Sequence, residues 1–233
     1  MKLVSGRRGT PAAQTRRKAG QKGPGRPEGT SVVRDDILDA AEELFSNLGY
    51  AGTTLREIAD QAKVTQALIN YYFGSKYGLY EAVFMRRSQI ISQQRLDNLA
   101  QLQAKPGRPK VRDVVQAFLM PTLAFRSTPE GRSFLRLQAR LHTEPPQISY
   151  KLRTDAYGNS TRLYVDAVRK ALPNLPELDA YWRVTLMVGT YLYAFSDTHR
   201  MEEMAPAGLY DPDDTDNLID QVTRFVTGGM QAP

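Results

Sequence analysis

From Thr54 to Lys76 the chain reads TLREIADQAKVTQALINYYFGSK, and this stretch decides the fold. Thr54-Leu55-Arg56-Glu57 is a capping box: the threonine hydroxyl accepts from the third amide of a new helix while the glutamate reaches back to the threonine's own amide. Leu55, Ile58, Ala59 and Ala62 then form an apolar stripe about two turns long. Lys63-Val64 interrupts it, Thr65 supplies a second cap, and Gln66 to Phe73 read as another short helix. Two short helices about a tight turn make a helix-turn-helix, whose last helix fits the major groove of DNA. Periodicity alone also fits a helical hairpin inside a core, so residue identities have to decide.

Upstream, Ile37, Ala41, Leu44, Phe45 and Leu48 line one face of a supporting helix that starts near Ser31 and stops at Gly49. Asp35 and Asp36 lie in its first turn, where the helix dipole favours acids. Downstream, Ser75 caps a long helix carrying Leu79, Val83, Arg87, Ile90, Ile91 and Gln94 toward Ala104. Proline and glycine breaks then delimit helices at about 110–126, 130–143, 147–172, 177–203 and 213–228, with Pro121 expected to kink or split the first of them. No stretch alternates apolar and polar residues, so the reading is all-α. It has three parts: a disordered basic tail at 1–30, a three-helix DNA-binding head at 31–80, and a helical-bundle ligand-binding and dimerisation domain at 81–233.

The absence of cysteine excludes disulfides, thiolate metal sites and a thiol nucleophile, and His142 and His199 are the only histidines. With no glycine-rich phosphate loop or paired-acid motif either, the chain reads as a non-enzyme without metal or cofactor. The longest apolar runs fall short of the roughly 20 residues of a membrane span, and no apolar run follows the basic N-terminus. A cytoplasmic protein without membrane contact is expected. Eight of the basic residues stand in the first thirty positions against Glu28 alone, so the tail carries +7 of a net +6 and the remainder is slightly acidic. Such an arm suits nucleic-acid contact or simple solvation, and Gly25-Arg26-Pro27 faintly resembles the core of minor-groove hooks. Residues 31–80 hold four bases and seven acids, which a DNA-binding head must segregate, most of the acids lying on the supporting helix.

Ile37-Leu38-Asp39-Ala40-Ala41, Leu44-Phe45, Gly49-Tyr50, Thr53-Thr54, Ile58-Ala59, Ala62-Lys63-Val64, Tyr72-Phe73, Ser75-Lys76 and Leu79 together closely resemble the N-terminal signature of the TetR family of transcription regulators. The resemblance covers about 50 residues; the remainder matches only in helical layout. It implies that Thr54 contacts a phosphate, that Gln66, Ala67 and Asn70 read bases, and that Tyr71, Tyr72 and Lys76 grip the DNA backbone, beside the capping Thr65. Gln and Asn bond bidentately to adenine, and Ala67 suits a thymine methyl. The bodies of Tyr72 and Phe73 read first as core. Asn70 and Leu68 stand where many relatives carry tyrosine and threonine, so no operator sequence carries over. Lys63 replaces a common glycine; with a positive φ it would cost about 1 kcal/mol relative to glycine.

The resemblance further implies a homodimer, a double-stranded operator and a small-molecule effector of unknown identity that releases a repressor. The expected interface is Tyr181, Val184, Met187, Val188 and Tyr191 with Leu218, Val222 and Phe225. Phe118, Phe134, Leu137, Leu141, Tyr157 and Tyr164 are the expected pocket residues, each of which reads more readily as simple core, and Arg136, Arg140 and His142 would meet an anionic head group or serve equally as surface charge. The alternative is a TetR-like architectural or chromosome-organising protein controlled by a protein partner.

Overall fold

The structure, a computed structural model, describes residues 28–233, among which there are ten α-helices and no strand. Residues 1–27 of the expected tail, with Gly25-Arg26-Pro27, lie outside the described residues.

Helix α1 (Glu28–Gly52) is broken at Gly49, whose φ of 74° and ψ of 175° are open to glycine and strained for other residues. Helices α2 (Leu55–Gln61) and α3 (Gln66–Phe73) follow at the expected caps. Glu57 N donates to Thr54 Oγ1 at 3.2 Å and Thr54 N to Glu57 Oε2 at 2.8 Å, so the capping box is complete. Lys63, in the turn, does take a positive φ of 56°. Helix α4 (Lys76–Gln103) begins at Ser75, whose hydroxyl accepts from Gly78 N.

Helices α5 (Val111–Leu123), α6 (Pro129–Leu141), α7 (Pro146–Ala171), α8 (Glu177–Phe195), α9 (Arg200–Met204) and α10 (Thr215–Gln231) complete the chain. Pro121 neither splits nor ends α5 at once; the helix continues to Leu123 and passes into a 3-10 turn at Ala124–Ser127. The donor that Pro121 lacks would have met the Ala117 carbonyl. Asn98 Nδ2 on α4 donates to that carbonyl instead, at 3.2 Å. The expected single helix at 177–203 is two, because Asp197 and His199 take φ of 51° and 56°. Asp197 is held there by Arg126, which is buried and also donates to the Phe195 and Pro212 carbonyls.

Two apolar clusters form the core. One unites Ile37, Phe45, Ile58, Ile69, Tyr80 and Phe84 of α1 to α4 with Phe134, Leu137, Leu141 and Leu152 of α6 and α7. The other joins α4, α5, the second half of α7, α8 and α10 around Phe118, Tyr164, Met187 and Tyr191. The first three helices therefore do not close a core by themselves: α6 lies along α1 and supplies part of it. Truncating Phe45, fully enclosed in this shared cluster, should cost about 3–5 kcal/mol.

Candidate nucleic-acid interface and effector cavity

Helix α3 buries Ile69 and presents Gln66, Ala67, Asn70 and Tyr71 to solvent, positions one helical turn apart that share a face. Tyr71 is 82% exposed, with one ring edge against Tyr72 at a centroid distance of 5.4 Å. Thr65 caps the helix by accepting from Leu68 N at 3.3 Å. Tyr72 and Phe73 are half-buried, packed against the head cluster as expected of their ring bodies. Thr54 is exposed at the start of α2, but its hydroxyl donates to Glu57 Oε2 at 2.8 Å, so a phosphate bond would require that proton to turn outward. The same bonds hold the Glu57 carboxyl below its ordinary value.

Lys76, at the first position of α4, is half-buried. Its ammonium lies 4.5 Å from the centroid of the Tyr50 ring, and partial burial lowers its pKa. Arg56 and Lys63, read before only as charges, are both exposed beside Thr54 and in the turn. Two of the acids of α1 are engaged by α4: buried Glu42 accepts from Arg86 and Arg87, and Asp39 pairs with Arg86. Those two arginines lie beyond residue 80, so a charge count confined to the head could not include them.

The expected pocket residues are corrected by the packing. Phe118, Phe134, Leu137, Leu141 and Tyr164 are fully enclosed core, whereas Tyr157 borders a cavity between α7 and α8. That cavity, of about 940 Å³, reaches Arg95 on α4, Ala139 on α6 and His142 at the end of α6. Glycines open it: Gly158 and Gly189 both border it, and a Cβ on Gly189 would meet nothing within 4 Å. Mid-helix glycines at facing positions are the signal that a search for bulky apolar residues passed over. Of the three residues expected at an anionic head group, only His142 borders the cavity. Arg140 donates to the Asn47 carbonyl at 2.9 Å and Arg136 to Ser133 Oγ. Burial and the neighbouring Arg153 push His142 down to about 4, so it is neutral near pH 7.

The expected interface residues divide. Val184, Met187, Tyr191 and Val222 are buried within the protomer and are core, so they are unavailable to a partner. Val188 and Leu218 are half-buried against that core, and Tyr181 and Phe225 are exposed. Leu178, Trp182, Leu186 and Tyr193 complete an exposed apolar face on α8.

A sequence profile described as "Bacterial regulatory proteins, tetR family" matches residues 37–83, and one described as "Tetracyclin repressor-like, C-terminal domain" matches residues 116–229. The chain belongs to the TetR family of bacterial regulators. This TetR-family chain is 48% identical over 49 residues to a probable HTH-type transcriptional regulator, YttP, of Bacillus subtilis, an alignment spanning 21% of this chain and 24% of that protein. It is 45% identical over 49 residues to the biofilm operon negative transcriptional regulator IcaR of Staphylococcus aureus, spanning 21% and 26%. The chain thus spans about a quarter of the length of these relatives. Among solved structures, a TetR-like transcriptional regulator from Rhodococcus sp. RHA1 superposes with a TM-score of 0.61 at 18% identity, covering 87% of this chain and 98% of that one. That likeness is one of fold. No helix among the described residues is long and apolar enough to cross a membrane.

Proposed function

We propose that the protein is a homodimeric repressor that binds a near-palindromic operator and lets go when a small, mostly apolar effector fills the α7–α8 cavity. Residues 31–80 act as the DNA-binding head and 81–233 as the regulatory and dimerising part. Gln66, Ala67 and Asn70 read base edges, while Thr54, Thr65, Tyr71, Tyr72 and the exposed Arg56 hold phosphates.

The observation that carries this reading is the double engagement of the corner between α6 and α7. His142 borders the cavity, and Glu144, two residues on, accepts the Tyr50 backbone N–H at 2.9 Å. A ligand that prefers a shifted α6 therefore shifts α1, along which α6 lies, and with it the spacing of the two reading helices in a dimer. Dimerisation is supported by the exposed α8 face of Leu178, Trp182, Leu186 and Tyr193 with Phe225 of α10, an apolar face of the kind that marks a protein–protein contact. A twofold pair of short reading helices also covers enough bases for useful specificity. The negative regulation named for IcaR agrees with a repressor role, through the matched head alone.

Footprinting of the purified protein on the DNA upstream of its own coding region tests the proposal. Protection centred on a dyad, by a dimer, is expected. Protection without dyad symmetry, or by a monomer, would overturn it, and dozens of dispersed sites with no release by any metabolite would favour an architectural role.

A further inference from the structure

We propose that the effector is an amphipathic carboxylate whose head group pairs with Arg95; this rests on the reading that the cavity binds an effector. Arg95 is 1% exposed, on α4, and borders the cavity. Its Nε donates to the Phe118 carbonyl at 3.0 Å and its Nη2 to Thr122 Oγ1 at 2.9 Å. The guanidinium carbon lies 3.6 Å from the centroid of Phe118, with Tyr191 at 5.3 Å and Tyr157 at 5.5 Å. No carboxylate lies within ion-pair distance, and Nη1 has no protein partner, among the described residues.

A guanidinium cannot shed its proton, so this charge persists in the interior, where an unpaired ion is costly. Two neutral acceptors and aromatic faces offset part of the cost and leave three N–H donors unused. The other arginines drawn into the protein are treated differently: buried Arg126 meets Asp197, and half-buried Arg86 and Arg87 meet Glu42. The cavity wall repeats the imbalance. Arg153 and Arg162 border it, neither has an ion pair among the described residues, and Arg153 Nε is buried without a partner. Among the described residues no aspartate or glutamate borders it, so a cationic ligand would find no opposite formal charge there.

The remaining lining suits an apolar tail, with Tyr150, Val165, Tyr181, Val188 and Leu192 along its length. A planar head fits the slot best, because aromatic rings bound the guanidinium and a carboxylate bonds it side-on in its plane. Arg95 owes its seat to α5: Phe118 and Thr122, its two acceptors, flank the proline-disturbed turn at Pro121.

The test is calorimetric titration of the full-length protein at neutral pH with decanoate and with decanamide, matched in length and differing in charge. Decanoate should bind at least about tenfold more tightly. Arg95→Gln, with its helical circular dichroism checked, should abolish the preference while sparing decanamide; Arg95→Lys should keep part of it. If Arg95→Gln does not fold, carboxyl-labelled decanoate on the unaltered protein decides. Its bound carboxyl resonance should titrate at lower pH than in free solution. Equal affinities, an unshifted carboxyl titration, or a preference that survives in folded Arg95→Gln would overturn the proposal. Should decanamide equal decanoate and both release upstream DNA, the effector reading stands and the anion reading falls. Should neither bind at millimolar concentration, both fall.

Discussion

Glu144 Oε1 accepts the backbone N–H of Tyr50 at 2.9 Å and lies 3.3 Å from the point that a Cβ on Gly49 would occupy. Head and body therefore meet at the one place where α1 leaves helical geometry. Glu144→Ala should cost about 1.5–3 kcal/mol, the range for a hydrogen bond to a charged group. Gly49→Ala should cost about 1–2 kcal/mol from its positive φ alone. Urea denaturation followed by circular dichroism measures both, and two neutral substitutions would mean that this corner does not join the halves.

Lys63 pays the left-handed strain of the turn between α2 and α3 while remaining exposed. Lys63→Gly should raise stability by about 0.5–1 kcal/mol, the steric relief being partly offset by the freer unfolded chain. A melting temperature that stays level or falls would show that the lysine stem makes a compensating contact.

Stability should fall with acidification because of His142. Its folded-state pKa of about 4 lies below the unfolded value near 6.5, so between these limits the unfolded chain binds the extra proton. The contribution is fully present above about pH 6.5 and is lost as pH falls toward 4, by about 1–2 kcal/mol after allowing for partial solvent access. His142→Gln should flatten the stability profile in that window. An equally steep profile in the variant would assign the pH dependence to other groups.

On DNA, Gln66→Ala and Asn70→Ala should each cost about 1–3 kcal/mol on the preferred site and little on random duplex. Arg56→Ala should weaken both to the same degree and reduce the salt dependence. Lys76→Ala should act on stability instead, by about 0.5–1 kcal/mol, through the lost contact with Tyr50. Gel-shift titrations against both duplexes separate these outcomes, and equal losses on both for Asn70→Ala would remove it from base reading.

Trp182, 59% exposed, and Met187, 1% exposed, stand on different faces of α8. Trp182→Glu should leave a folded protomer and dissociate the dimer, whereas Met187→Glu should unfold the protein by burying an unpaired charge. Sedimentation with circular dichroism distinguishes them. A full-strength dimer in folded Trp182→Glu would move the interface off this face.

What the sequence by itself determined lies within a few residues of its own signal. The capping box at Thr54, the caps at Thr65 and Ser75, the break at Gly49 and the positive φ at Lys63 are local hydrogen-bonding and steric facts, and they placed the exposed face of α3. Burial is different, because it depends on which helices meet. Phe118, Phe134, Leu137, Leu141 and Tyr164 have the composition of a pocket wall or of a core, and only the packing of α5 and α6 made them core. Met187 and Tyr191 share one helix with Trp182, and nothing along the chain says which side α10 and α7 will cover. Arg95 reads as one more polar residue on a long helix. It becomes a buried, acid-free cation only because α5 folds across it and glycines of α7 and α8 leave space beside it. A helix writes its own ends through bonds three or four residues long, but a cavity is the gap left between elements distant in the chain, and only the tertiary structure holds that information.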